Sequence, residues 1–236
     1  MRGDSGAKKY LLLFAILLLP TLLYLLYVYG KGEQDFAHLP FVTYTDLNGE
    51  QVNRKAPAFG FINQDGKTIT DKDLEGKIYL VDFFFTSCPS ICPIMTANMM
   101  KIQKRFEGFP EFELVSFTVD PTRDNPERLK EYAAERMIDT QRWNFLTGEQ
   151  DSLYSVAYNF LSSAMEDSLA AGGFLHTEYF VLIDKEGNLR SRDDEQGNII
   201  GVYDGTSAQH TRDLIDDVKV LIAEYKMELK ANKKEE

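Results

Sequence analysis

The sequence predicts an α/β fold, a mixed sheet flanked by helices, preceded by one N-terminal transmembrane helix. Two observations lead to this fold class. Residues 10–29 form a run without a charged residue. From Pro57 onwards, apolar runs typical of strands alternate with segments that have the apolar periodicity of helices. Hydrophobic residues make up 44% of the 236 residues and charged residues 27%, which excludes a disordered or fibrous chain.

The transmembrane helix is predicted over residues 10–29. A helix of that length spans about 30 Å, the thickness of the hydrocarbon core of a bilayer. Arg2, Lys8 and Lys9 precede the run, so the positive-inside rule predicts that residues 1–9 are cytoplasmic and that everything after the helix lies outside. A cleaved signal peptide is the alternative, but the run is long for one and ends in a poor small-residue cleavage site.

Charge and cysteine content exclude several functional classes. The net charge is −11, of which residues 1–30 carry +2, leaving −13 for the rest of the chain. We therefore expect no binding to nucleic acid, because that requires a basic face that neutralises phosphates. The two cysteines, Cys88 and Cys92, are too few for a framework of several disulfides or for a four-cysteine zinc site.

The domain is predicted over residues 57–236, and residues 30–56 are expected to form a tether that ends in a first strand or hairpin. Five segments of the domain predict strands. The first two flank a hairpin signal, Gln-Asp-Gly, and the third is an apolar run that suits a central strand buried on both faces. In chain order these strands are Phe59–Asn63, Lys67–Thr70, Ile78–Phe85, Phe112–Val119 and Glu178–Ile183.

Four segments predict helices. Pro93 and Pro126 fit the first turns of two of them, and the last has an apolar stripe along one face. We expect a loop over Ser162–Phe174 and the tip of an exposed hairpin over the charged segment Ser191–Asn198. In chain order the predicted helices are Pro93–Phe106, Pro126–Ile138, Glu149–Phe160 and Ala208–Lys230.

Cys88 and Cys92 form a Cys-x-x-x-Cys motif between a predicted buried strand and a helix. Cysteines four residues apart across one helical turn can aim both sulfurs at one point. The unpaired N–H groups of a helix N-terminus favour thiolates there. Two such thiolates either close a disulfide or bind a soft metal, of which Cu(I) is the most suited. The alternative is a structural disulfide or a pair of inert buried thiols.

Histidine is the best third ligand for such a site. The chain has three, with His38 in the tether, His210 at the start of the last helix and His176 at the start of a late strand, behind Gly172 and Gly173. In a mixed sheet that strand can lie near the cysteine loop, which makes His176 the candidate. From the residue alone, His176 is explained equally well as a surface or core residue and as a ligand. We expect structural roles for His38 and His210.

Three stretches of the chain resemble known proteins, and two of them narrow the resemblance to one family. Residues 81–88, Val-Asp-Phe-Phe-Phe-Thr-Ser-Cys, resemble the active-site strand of the thioredoxin superfamily, in which an aspartate at the position of Asp82 is a buried proton acceptor. Residues 118–126, Thr-Val-Asp-Pro-Thr-Arg-Asp-Asn-Pro, resemble the Asp-Pro-x-Arg-Asp-x-Pro signature of the Sco/SenC family. His176-Thr177, before a hydrophobic strand and an Asp-x-x-Gly turn, is also similar to Sco proteins.

The resemblance implies a thioredoxin-like fold and a copper-binding metallochaperone that helps assemble the binuclear copper centre of cytochrome c oxidase. It implies that Cys88, Cys92 and His176 bind copper, as Cu(I), Cu(II) or both. Separately, the two cysteines are the candidates for a redox-active disulfide. The implied partner is the copper-bearing subunit of the oxidase or another periplasmic copper protein. The implied location is the bacterial cytoplasmic membrane, with a single span and the domain in the periplasm.

A thiol-disulfide reductase is the second hypothesis, and whether the chain is an enzyme stays open. Cys88 would attack a client disulfide and Cys92 would resolve the mixed disulfide, a chemistry that Asp82 supports. Against this as the sole role, conventional thioredoxin-like oxidoreductases have a cis-proline before a late strand, and this chain has no proline after Pro126. The two roles are compatible, because a client copper site needs reduced cysteines before loading. A peroxidase is disfavoured, since Thr86 lies too close to Cys88.

Asp120 and Arg123 are, with Asp82, the candidate supporting residues. Asp120 follows a predicted strand at its carboxyl end, where α/β sheets commonly place functional groups. It either orients His176 or contacts the client. The alternative is that Asp120 and Arg123 form a structural turn and a salt bridge.

Overall fold

The computed structural model divides into two compact units, Met1–His38 and Leu39–Glu236. The residues that it describes are 14, 16–24, 38–167 and 172–235.

The first unit contains the predicted transmembrane span. Residues 14 and 16–24 are helical. The remainder of the span predicted over 10–29 lies outside the described residues, as do residues 1–9 and 30–37. No helix within the described ranges combines the length and the hydropathy that crossing a bilayer requires.

The second unit has twelve strands and four α-helices among its described residues. In chain order the strands are β1 (Thr43–Thr45), β2 (Gln51–Asn53), β3 (Gly60–Asn63), β4 (Thr68–Thr70), β5 (Ile78–Phe84), β6 (Phe112–Thr118), β7 (Trp143–Thr147), β8 (Ala164–Glu166), β9 (Phe174–His176), β10 (Tyr179–Ile183), β11 (Leu189–Arg190) and β12 (Tyr203–Asp204). The helices are α1 (Cys92–Arg105), α2 (Pro126–Glu135), α3 (Gln150–Asn159) and α4 (Ala208–Glu235).

Eight of the described strands form one mixed sheet. Seven of them lie side by side in the order β11-β10-β5-β6-β7-β3-β4, and β12 pairs with the start of β10. The central strands β5, β6 and β7 are parallel to one another, and the outer strands are antiparallel to their neighbours. β1 pairs with β2, and β8 with β9, in two separate antiparallel hairpins. The predicted mixed α/β architecture is confirmed.

Helices cover both faces of this sheet. Phe83 and Phe84 are neighbours on β5, so their side chains point to opposite faces. The Phe84 ring packs against Tyr132 of α2, whose hydroxyl is hydrogen-bonded to Thr96 of α1. The Phe83 ring contacts Phe160 at the end of α3. Because α1 and α2 lie on one face and the end of α3 on the other, every residue of β5 is buried.

Two segments differ from the predictions. β7 is an inner strand at a place where the sequence predicts no element, because its position is fixed by pairing with β6 and β3. The loop predicted over Ser162–Phe174 is wrong in part, since β8 and β9 pair across it. His176 therefore ends β9 instead of starting the late strand β10. Within Ser191–Asn198 the Asp194 amide donates to the Asn198 carbonyl at 2.7 Å, which closes a tight turn.

Leu39 is held through both of its main-chain polar groups. Its N–H donates to the Glu224 carboxylate at 2.6 Å, and its carbonyl accepts two hydrogen bonds from the Arg190 guanidinium. Arg190 also pairs with Asp184 at 3.0 Å and with Glu224 at 2.9 Å, and all three charged side chains are buried. Removal of one partner would leave an uncompensated buried charge, so this network strongly constrains where the chain enters the domain.

Candidate metal centre

Cys88 and Cys92 lie at the junction of β5 and α1. The strand ends at Phe84 and the helix begins at Cys92, with Pro93 in its first turn. Ile91 at the N-cap provides no side-chain hydrogen bond to the helix, so N–H groups at this end remain available to a negative charge. Cys88 is 8% exposed and Cys92 1%, and both are free thiols.

β9 brings His176 to the cysteines. Its Nε2 lies 3.3 Å from the Cys92 Sγ, and its Nδ1 lies 3.1 Å from the Thr177 carbonyl oxygen. A carbonyl only accepts, so Nδ1 carries a proton, and Nε2 is the ring nitrogen that faces the sulfurs. The Phe85 ring meets the imidazole at 86°, with centroids 5.6 Å apart, and this contact holds the ring plane.

The three side chains converge on one point. The ligand atoms of Cys88, Cys92 and His176 lie within 4.8 Å of one another, and all three residues are buried. Two donors to one ion lie at most about 4.6 Å apart, since metal–ligand distances are about 2.0–2.3 Å. A small contraction therefore lets the three atoms share an ion. Two sulfurs and one imidazole nitrogen form a soft donor set. No other cluster of three or more such side chains occurs in the described part of the chain.

The two thiols differ in acidity. The Cys92 thiol donates a hydrogen bond to the Cys88 sulfur, and this bond is the main cause that lowers the pKa of Cys88, to about 3, against the opposing effect of burial. A hydrogen bond from His176 and the N–H groups of Ser90 and Cys92 lower it further. The same bond, together with burial, raises the pKa of Cys92 far above that of an ordinary thiol. At neutral pH the pair is a Cys88 thiolate beside a Cys92 thiol.

Asp82 is a buried carboxyl on β5, 2% exposed. Ser116 Oγ donates to its Oδ1 at 2.5 Å, and Trp143 Nε1 donates to Ser116 Oγ at 2.8 Å. Burial raises the pKa of Asp82 to about 7, opposed by the Ser116 hydrogen bond and by His176. A carboxyl with this pKa can take up and release a proton near neutral pH.

Asp120 and Arg123 form an ion pair in the turn after β6, with Arg123 Nη1 3.5 Å from Asp120 Oδ2. Asp120 is buried, whereas the Arg123 side chain is 64% exposed. The described hydrogen-bond partners of the His176 ring are Cys92 and Thr177. The structure therefore contains the turn and ion pair, and Asp120 does not orient His176.

Asp124 positions the cysteine loop, and it is absent from the candidates that the sequence identifies. It is fully buried. Its carboxylate accepts from the Thr86 N–H at 3.0 Å, from the Thr86 hydroxyl at 2.5 Å and from the Thr118 hydroxyl at 2.6 Å. Arg128 Nε adds a bond to the Thr86 hydroxyl at 3.3 Å. The signal for this role is the second aspartate of the motif at residues 118–126.

Gly172 packs the β8–β9 hairpin against the cysteine loop. Its φ is +87°, and a Cβ there would lie 2.7 Å from the Phe85 ring and 3.3 Å from Pro89. Gly173 has a similar φ of +89° but faces open space. Glycine at 172 thus permits the close approach that brings β9 to the cysteines.

His210 lies away from the metal centre. Its Nδ1 accepts a hydrogen bond from the Asp204 amide at 2.9 Å, which is a structural contact.

The sequence model of the SCO1/SenC family matches residues 48–209. Among curated proteins, the SCO1 protein homolog of Bacillus subtilis is 31% identical over 189 residues, which are 78% of this chain and 93% of the relative.

Solved structures agree with this match. The SCO1/SenC family lipoprotein from Bacillus anthracis is 37% identical with a TM-score of 0.62, over 72% of this chain and 96% of that one. BsSco, described as a Sco family cytochrome c oxidase assembly protein with a disulfide switch, is 31% identical with a TM-score of 0.60, over 72% and 94%. Arabidopsis thaliana ScoI with copper bound shares the fold at 24% identity, with a TM-score of 0.56 over 70% and 98%. The thioredoxin-like fold of this domain is confirmed, and the chain belongs to the SCO1/SenC family.

Proposed function

We propose that this chain is a copper chaperone for the assembly of cytochrome c oxidase, and that Cys88, Cys92 and His176 hold the copper that it carries. The buried cluster of two sulfurs and one imidazole nitrogen within 4.8 Å is the observation that carries the proposal. Family membership supports it, because BsSco is described as an oxidase assembly protein and the Arabidopsis structure has copper bound. Copper is the cargo here, and the binuclear copper centre of the oxidase is its proposed destination.

The acidity of the thiols bears on how the cargo is held and released. Cys88 is already a thiolate, which accepts a soft cation at neutral pH, and His176 Nε2 faces the sulfurs as the nitrogen that would bind the same ion. Cys92 loses its proton when copper binds, because the thiolate is the ligand. Cys88 is the more exposed of the two cysteines. A client thiolate therefore enters on the Cys88 side, and copper passes to the client by ligand exchange.

Copper binding is the direct test. The full chain, reduced and in detergent, is titrated with Cu(I) against a colorimetric chelator. We expect one copper per chain, and at least tenfold weaker binding for Cys88→Ser, Cys92→Ser and His176→Ala. His210→Ala is the matched histidine control and should bind like the wild type. If Cys92→Ser binds copper as tightly as the wild type, the proposal fails.

Membrane anchoring is the second part of the proposal. Residues 10–29 anchor the chain in the bacterial cytoplasmic membrane, residues 1–9 stay in the cytoplasm, and the residues from 30 onwards tether a periplasmic domain. The predicted start of that domain at residue 57 is too late, because the compact unit begins at Leu39. The uncharged run and the three basic residues before it support this. The full chain should stay with membranes after alkaline extraction, and protease added to spheroplasts should remove the domain. Recovery of the full chain in the soluble fraction would contradict anchoring.

A second activity, thiol-disulfide reduction, is favoured by the Cys88 thiolate. Its sulfur attacks a client disulfide, the client S–S bond breaks, and a mixed disulfide forms. Cys92 then gives up its proton to Asp82 and displaces the second client sulfur. The products are a Cys88–Cys92 disulfide and a client dithiol, so two electrons pass to the client.

The reductase activity has its own test. The reduced chain is mixed with an oxidised Cys-x-x-x-Cys peptide and followed by mass spectrometry. Cys92→Ser should trap a mixed disulfide on Cys88, whereas Cys88→Ser should trap none. Absence of both trapping and peptide reduction would rule the activity out for this peptide class.

A further inference from the structure

A cavity of about 370 Å³ lies between the turn after β6 and the β8–β9 hairpin. It shares a wall with the metal centre. The Phe174 and Phe85 rings pack together with their centroids 5.4 Å apart, and the Phe85 ring also contacts the His176 ring. The residues that line it include Asp120, Arg123, Glu166, Gly172, Gly173 and Phe174.

Asp120 lines this cavity and has an unsatisfied carboxylate oxygen. Within the described ranges, its Oδ2 is the one buried side-chain nitrogen or oxygen without a hydrogen bond. Arg123 Nη1 lies 3.5 Å away on a side chain that is 64% exposed, and ion pairs with such an exposed partner contribute little. A buried acceptor without a donor is costly. Asp120 Oδ2 is therefore better satisfied by an N–H donor from a bound molecule than by its contact with Arg123.

Glu166 adds a second carboxylate at the same cavity. Gln150 Nε2 donates both to Glu166 Oε1 and to the Tyr154 hydroxyl, each at 2.8 Å. The Tyr154 hydroxyl donates to the Val119 carbonyl at 3.0 Å, next to Asp120 in the chain. These bonds hold the two carboxylates in a fixed relation. With two acids and one base, the lining is net negative and complements a cation.

The chemistry of the lining distinguishes among cations. The described residues here do not form a group of three metal-binding side chains, since the one such group is Cys88, Cys92 and His176. A bare metal ion would therefore find fewer than three converging side-chain ligands in this cavity. A lysine or arginine side chain fits better, because its head donates N–H bonds to Asp120 and Glu166 while its alkyl stem packs on Phe174.

We propose that this cavity receives a lysine or arginine side chain of the protein that exchanges copper with this chain. The inference rests on the proposed chaperone function and adds a recognition element to it. Because Phe85 contacts both Phe174 and His176, a basic side chain in the cavity is seated next to the metal centre. Binding there brings the thiolates of the partner towards Cys88.

N-acetylarginine amide is the probe for this cavity, and N-acetylcitrulline amide is its uncharged control of nearly the same shape. Each is titrated into the full, reduced chain in detergent, and the amide resonances of Thr122 and Gly173 are followed by NMR. We expect saturable shifts with the arginine compound and at least tenfold weaker binding of the citrulline compound. Asp120→Asn should weaken arginine binding at least fivefold. Arg123→Ala should strengthen it, because a competing cation is removed.

Equal binding of the arginine and citrulline compounds, or unchanged arginine binding by Asp120→Asn, overturns the proposal. Glu166→Gln is a second, exposed variant that should also weaken arginine binding, and it keeps the test valid if Asp120→Asn does not fold. Cu(I) binding is measured on the same samples. Copper binding without arginine binding overturns the cavity proposal alone. Arginine binding without copper binding overturns the proposed function, and with it the copper-exchanging partner.

Discussion

The carboxylate of Asp124 accepts hydrogen bonds from both the main-chain N–H and the hydroxyl of Thr86, which stands two residues before Cys88. A third bond, from the Thr118 hydroxyl, completes the set. A carboxylate can take several donors at once because its two oxygens only accept. These bonds tie the cysteine loop to the turn after β6, so the position of the first sulfur depends on a residue 38 positions beyond Thr86.

Asp124→Ala should lower the free energy of unfolding by about 3 kcal/mol, because the buried Thr86 N–H and two hydroxyls lose their acceptor. Urea denaturation of the reduced, metal-free chain measures this. Asp65→Ala is the matched control, since it removes an acid that pairs with Lys130 on the surface, and it should cost less than about 1 kcal/mol. Similar losses for the two variants would contradict the role assigned to Asp124.

Gly172→Ala should destabilise the chain by about 2 kcal/mol more than Gly173→Ala. Both substitutions place a side chain at a positive φ, but only the Cβ at 172 runs into the Phe85 ring. The difference between the two unfolding free energies therefore isolates the packing of the hairpin against the cysteine loop. Copper affinity should fall for Gly172→Ala and stay near the wild-type value for Gly173→Ala. Equal effects at both positions would mean that this contact is unimportant.

Asp82→Asn should stabilise the metal-free chain at pH 8 and lose this advantage towards pH 4. The pKa of Asp82 is raised to about 7 in the folded state by burial, against about 4 when unfolded. Between these values the folded chain binds one proton more than the unfolded chain, so wild-type stability falls as pH rises through this window. The variant carries no titrating proton there. The unfolding free energy of the variant minus that of the wild type should grow by up to about 4 kcal/mol from pH 4 to pH 7. If this difference does not change with pH, the pKa of Asp82 is not raised.

Alkylation of Cys88 by iodoacetamide should proceed at nearly the same rate from pH 5 to pH 8. Its pKa is lowered to about 3, chiefly by the hydrogen bond from Cys92, so the reactive thiolate is present throughout that range. Cys92→Ala removes the donor, and the rate should then rise with pH as for an ordinary thiol. Mass spectrometry follows the reaction. A wild-type rate that climbs steadily up to pH 8 would show that Cys88 is not a preformed thiolate.

Local sequence patterns predicted those elements whose burial on the sheet requires a run of apolar residues. The apolar runs of β5 and β6 are visible because both strands are buried on both faces. β7 is a five-residue strand held by pairing with β6 and β3. The three-residue strands β8 and β9 depend on each other. Such pairing is non-local, and composition does not reveal it.

The candidate site divides in the same way. The spacing of Cys88 and Cys92 is legible in the sequence, and His176 follows from a resemblance in the order of motifs. The role of Asp124 was not predicted, because an aspartate in a turn motif has the same sequence whether it faces solvent or accepts from Thr86. The same holds for Gly172, whose neighbours Phe85 and Pro89 lie far from it in the chain.

The hydrogen bonds that hold the main chain of Leu39 have a mechanical consequence. A pull on the chain ahead of this residue meets the bonds from Glu224 and Arg190 before any force can reach β1. Those side chains belong to α4 and β11, so the force is spread over a long helix and an outer strand of the sheet. The sulfurs and the imidazole lie elsewhere, in the loop before α1, at the start of α1 and at the end of β9. The contacts of Leu39 therefore bear tension in the chain ahead of the domain. The metal centre keeps its geometry because that tension does not reach it.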